Sequence, residues 1–110
     1  MQLNALEKKF LESSQHFRER KHAESLDLVE SLGDEMPGSP AVHYLRARNL
    51  AAMSRVDEAL DMCNTALRQL HLSREQYQSL AAFLDDPQLE RLEQAASAQE
   101  GQITALKTSL

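Results

Sequence analysis

VDEALDMCNTALRQL, residues 56–70, is the stretch whose pattern decides the fold. Val56, Ala59, Leu60, Cys63, Ala66, Leu67 and Leu70 recur at steps of three and four, so they share one face of a helix. Asp57, Asp61, Asn64 and Arg68 fall on the opposite face. A stripe of this width is stable only when it is laid against another apolar surface, so the neighbouring segments must supply partners.

Toward the N-terminus, Val42, Leu45, Leu50 and Met53 mark a helix that opens at Ser39-Pro40, a hydroxyl N-cap followed by a proline at the first helical position. Ser54 with Asp57 three residues on reads as a capping box that starts the 56–70 helix after a very short turn. The segment DEMPGSP, residues 34–40, is the clearest break in the chain. Before it, Ala23, Leu26, Val29 and Leu32 form a short stripe that ends at Gly33, a residue suited to a C-cap, and Leu3, Leu6, Phe10 and Phe17 predict a helix over 3–18.

Toward the C-terminus, Ser73 and Gln76 give another capping-box signature, opening a helix with Tyr77, Leu80, Ala81 and Leu84. Asp85-Asp86-Pro87 interrupts it, one carboxylate serving as N-cap of the last helix. There Leu89, Leu92, Ala96, Gln99, Ile103, Leu106 and Leu110 follow a heptad weakened by Ala96 and Gln99. Gly101 inside that run costs about 1 kcal/mol relative to alanine and marks a point of kinking or fraying.

Composition agrees with an all-α class. The 110 residues include three glycines and three prolines, with 42% hydrophobic and 26% charged residues, enough to bury the core of one compact domain. The expectation is a single domain of about six helices in three antiparallel pairs, over 3–33, 40–71 and 73–110. A net charge of −5 without clustered Lys and Arg argues against nucleic acid as a partner. No stretch has the apolar run of a signal peptide or membrane span, and the lone Cys63 allows no intramolecular disulfide, so a cytoplasmic location is expected.

Ala23 and Ala59 occupy comparable places in the second helix of the first two pairs, at a spacing near the tetratricopeptide period of about 34 residues, the excess being assigned to the Pro-Gly-Ser-Pro loop. Residues 40–71 resemble one tetratricopeptide unit: Ala47 is the small residue where two helices cross, Leu50 the bulky residue after it, and Ala59 and Ala66 the small positions of the second helix. His43 stands where a Trp-like residue is usual, Arg46 where Leu is, Cys63 where an aromatic is, and His71 where the closing Pro is. Ser14 and Asp27 of the first unit sit at normally apolar sites, and Ala81, Ala82, Leu84 and Ala95 are compatible with a third unit. The resemblance implies helical hairpins stacked as a short right-handed solenoid.

Stacked pairs curve, and their first helices line a concave groove suited to an extended peptide or a helix of another protein. Projected by register, Lys8, Glu12, Tyr44, Leu45, Arg48 and Gln78 face that groove, with Tyr44 and Arg48 the expected anchors. Family members that clamp the C-terminal carboxylate of heat-shock chaperones use Lys, Asn and Arg. Glu12, Leu45 and Ser79 stand at places where such a clamp wants Asn or Arg, so it is expected to be absent.

No catalytic chemistry, metal or cofactor is expected. His16, His22, His43 and His71 fall in no metal-binding spacing, Cys63 lies on an apolar helix face, and the sequence holds neither a phosphate loop nor a nucleophile elbow. The reading is therefore a protein-binding adaptor. Two alternatives stand beside it. One is a small chaperone of the type III secretion kind that cradles an export substrate, an analogy of size and architecture. The other is a scaffold that forms a homodimer through the C-terminal heptads, using Leu89, Leu92, Ile103 and Leu106, against which stands a tail folded back as a cap over the preceding helical pair, favoured because Ala96, Gln99 and Gly101 weaken the seam.

Overall fold

Five α-helices form in the computed structural model, which describes residues 4–110. They are α1 (Ala5–Arg18), α2 (His22–Glu35), α3 (Pro40–Ala52), α4 (Val56–Ser79) and α5 (Asp86–Ser109), with one 3₁₀ turn at Ala81–Phe83. The stripe position Leu3 lies outside the described residues. α1 packs on α2, α2 on α3, α3 on α4 and α4 on α5, so each helix is laid against its neighbour in sequence. A radius of gyration of 14.7 Å exceeds the roughly 13 Å of a compact chain of this length, and the extents of 43 × 36 × 21 Å describe a slab built by side-by-side stacking.

The first two hairpins repeat with an offset of 34 residues: α1 ends at Arg18 and α3 at Ala52, α2 begins at His22 and α4 at Val56. Their turns are congruent. Lys21 N–H bonds to the His16 carbonyl and Arg55 N–H to the Leu50 carbonyl, each at 2.8 Å. Arg20 and Ser54 hold the left-handed backbone conformation, at φ 63° and 62°. This register pairs Ser25, not Ala23, with Ala59, and Ser13 with Ala47; the excess spacing assigned to the Pro-Gly-Ser-Pro loop does not exist. All four of these small residues are fully buried at the helix crossings, whereas Ala23 is exposed.

Several expected boundaries move for local reasons. Ser54 sits in the left-handed turn and cannot cap; Arg55 is the residue before α4, and its guanidinium reaches Glu58, holding that carboxyl below its usual range. Gly33 lies within α2, which continues to Glu35. The expected break at Ser73 is absent, and six helices become five. α2 stops before Pro37, and 34 residues later stands His71, which keeps its N–H and lets α4 run on to Ser79. The Ser73 hydroxyl donates back to the Gln69 carbonyl at 3.1 Å, the bond of a mid-helix serine rather than of a cap. At the other two helix starts the expected chemistry is present: Ser39 Oγ accepts from Val42 N–H, and Asp85 forms a reciprocal capping box with Gln88.

The core has two parts. Leu26, Val29, Leu32, Val42, Leu45, Leu50 and Ala59 fill the space among α1–α4. Ala47, Cys63, Ala66, Leu70, Ala96 and Ile103 fill the space where α3, α4 and α5 meet, with Leu106 packed beside them. The last helix thus turns its apolar stripe onto its own chain, and the Arg74–Glu100 ion pair and an Arg74–Ser97 hydrogen bond of 3.2 Å tie it to α4. α5 is continuous through Gly101.

Candidate functional site

α3 is the middle first helix, flanked by α1 on one side and α5 on the other. Pro40, Ala41 and Tyr44 face Gln99, Gln102 and Ile103 of α5 across a small recess. Ala41 and Val42 face Leu6, Phe10 and Leu11 of α1 across a larger, open and mainly apolar one of about 470 Å³. The two recesses share Ala41, so one surface runs across α1, α3 and α5.

Arg48 lies two turns beyond the larger recess. Its guanidinium carbon stands 4.2 Å from the centroid of Phe17 and 5.6 Å from that of Tyr44, a cation held by two π faces. Arg46, Arg55 and Arg74 meet glutamates, Glu30, Glu58 and Glu100 in turn, while Arg18 and Arg68 reach only the neutral Gln15 and Thr65. No acidic residue and no hydrogen-bond acceptor among the described residues pairs with Arg48.

A buried polar network fixes this platform from behind. Ser13 Oγ donates to the Ser25 carbonyl at 2.8 Å, and Ser25 Oγ donates to the Ser13 carbonyl at 2.7 Å, so each hydroxyl satisfies the other helix. Asn49 Nδ2 donates to Ser25 Oγ at 2.8 Å and to the Leu45 carbonyl at 3.1 Å. Both amide hydrogens being spent there, Asn49 Oδ1 faces His22 Nδ1 at 3.3 Å and accepts, which puts the proton on that ring nitrogen. The His22 ring in turn meets Phe17 edge-on, at 5.1 Å and 67°. The chain of contacts therefore runs from the buried serines through Asn49 and His22 to the ring that carries Arg48.

Of the residues projected onto the groove, Tyr44 and Arg48 are brought together on the shared surface. Leu45 is 4% exposed and belongs to the core, because its neighbour on the helix, Tyr44, takes the outward position. Gln78 lies on α4, the second helix of its pair; the unbroken helix through Ser73 removes the first helix that would have presented it. Lys8 and Glu12 are exposed on α1 without an ion pair between them, and it is Lys9 that crosses to α2, reaching Ser31 and Glu35 at 3.1 Å. Phe10 and Phe17 pack on the α1–α4 core, as their stripe predicts, and their remaining faces complete the surface; the 34-residue register marks Phe10, which it places opposite Tyr44. In the tail, Ile103 is 1% exposed and Leu106 is packed on the same core, while Leu89 and Leu92 are half-buried.

The sequence of residues 16–84 matches the family model described as tetratricopeptide repeat, over more than half of the chain. The chain belongs to the tetratricopeptide repeat family. Repeats of this family are protein–protein interaction modules. No curated protein and no solved structure matches the chain. Among the described residues, no three His, Cys, Asp or Glu side chains are grouped to hold a metal ion, and no helix is long and apolar enough to cross a membrane. Cys63 is fully buried, and burial pushes its thiol above the usual range against a weaker opposing pull from Lys107.

Proposed function

We propose that this tetratricopeptide module binds a segment of another protein across α1, α3 and α5, with Tyr44 and Arg48 as anchors and Phe10 and Phe17 beside them. The observation that carries the reading is Arg48 held against Phe17 and Tyr44 with no acidic partner among the described residues, two helical turns from an apolar recess. Aromatic and arginine side chains in such settings supply much of the energy of protein interfaces. The congruent turns support the reading as well, since they set α1 and α3 side by side in the same orientation. The reading is of a non-catalytic adaptor acting as one domain.

The test is capture of a partner from the native host by the immobilised chain, compared with Tyr44→Ala combined with Arg48→Ala. The double variant is expected to keep its helical circular dichroism and lose the partner. Undiminished capture by a folded double variant would place the interface elsewhere.

A further inference from the structure

Resting on that reading, we infer that the bound segment is extended and presents a side-chain carboxylate to Arg48 and a bulky aliphatic or aromatic side chain to the Phe10 recess, about three residues apart. The carboxylate follows from charge complementarity. A guanidinium whose carbon sits over the Phe17 ring draws on π electrons for its stabilisation and keeps its N–H donors, which lie in its own plane. None of these donors meets an acceptor among the described residues, so the fork suited to a carboxylate is unspent on a side chain already held in place. Holding it beforehand lowers the ordering cost of binding.

The spacing follows from α1. Phe10 lines the recess and Phe17 underlies the guanidinium, seven residues further along the same helix. At 1.5 Å per residue this is about 10 Å, which an extended chain covers in about three residues at roughly 3.3 Å each. The recess is lined by Leu6, Phe10, Leu11, Met36, Ala41 and Val42 together with Asn4, Glu7 and Ser39, so it is mainly apolar and its one charge repels an acid. The order of the two features is thereby fixed in space: the acid at the Phe17 end, the apolar group at the Phe10 end. This differs from a clamp on a chain terminus, because one arginine meets an internal acidic side chain.

The test selects displayed random twelve-residue peptides on the whole chain, then measures synthetic copies by fluorescence polarisation and maps them by amide chemical shifts. Selected peptides should carry Asp or Glu three residues from Leu, Ile, Met or Phe and shift the amides around Tyr44 and Arg48. Changing the acid to its amide should weaken binding tenfold or more, as expected for a charge-assisted pair. Arg48→Gln should weaken the acidic peptide by a similar factor and leave its amide counterpart unaffected. Equal losses for both peptides would make Arg48 a packing residue and overturn the inference. Peptides that map to the groove without acid preference would overturn it while leaving the groove reading intact; peptides that map elsewhere, or none at all, count against both.

Discussion

Removing the Ser25 hydroxyl should cost far more than one serine in a helix suggests. Ser25→Ala deletes the 2.7 Å bond to the Ser13 carbonyl, worth about 1 kcal/mol net. It also strands one buried Asn49 N–H, whose acceptor at 2.8 Å is that same hydroxyl, at about 1–2 kcal/mol. Better helix propensity of alanine returns about 0.5 kcal/mol, leaving a loss of about 2 kcal/mol. At about 4 °C per kcal/mol for a chain of this size, the thermal midpoint should fall by about 8 °C. Adding Asn49→Leu removes the donor stranded in the core along with its partner and should recover about 1 kcal/mol, while the His22 Nδ1 that loses Asn49 Oδ1 belongs to a part-exposed side chain. Urea unfolding of the four members of this cycle, followed at 222 nm, measures the coupling. A Ser25→Ala loss below about 0.5 kcal/mol, or strict additivity with Asn49→Leu, would refute the network as the element that joins α1, α2 and α3.

His71→Pro restores the residue that ends α2 at the matching position; it should stop α4 near Leu70 at a cost of about 3 kcal/mol, visible as lost helical Cα shifts over residues 71–79. Gly101→Ala should stabilise by about 0.5–1 kcal/mol in denaturant unfolding, because the position is helical and a Cβ there meets nothing within 4 Å. Cys63 should react with a thiol reagent only at the rate of opening and rapidly in denaturant. Its raised thiol binds its proton more tightly in the folded chain, so stability should be unaffected below the ordinary thiol pKa of about 8.5 and fall as pH rises above it. Cys63→Ala should abolish that alkaline slope, and a slope that persists would assign it to another group.

The helical hairpins were legible because their signals are local. The seven apolar positions from Val56 to Leu70 share a face whatever surrounds them, and Ser39-Pro40 and Asp85-Asp86-Pro87 cap helices through bonds three residues long. The short turn before Val56 was legible in its place, but the conformation of the hairpin turns was not, since Arg20 and Ser54 occupy left-handed positions that glycine usually marks, and the chain's glycines lie elsewhere. Gly33 and Gly101, read as a cap and a weak point, are interior helical residues. His71 was visible as a departure from the repeat, but its consequence depends on whether the helix finds a surface beyond that point, which α5 provides through Arg74, Glu100 and Ser97.

Periodicity and capping act within a few residues, so the all-helical class, most of the core residues and the family likeness of residues 40–71 follow from the order of amino acids, although Met53, Val56 and Leu80 on the same stripes stay exposed. The 34-residue register needed the packed helices, since two serines can stand for two alanines at a helix crossing only if each hydroxyl finds the other helix's carbonyl. Their packing also turns Tyr44 outward while Leu45 beside it is buried, and rests Arg48 on Phe17 rather than on a glutamate. Those outcomes depend on pairs of side chains 31 positions apart in the case of Phe17 and Arg48, a separation that only the packing of α1 against α3 closes.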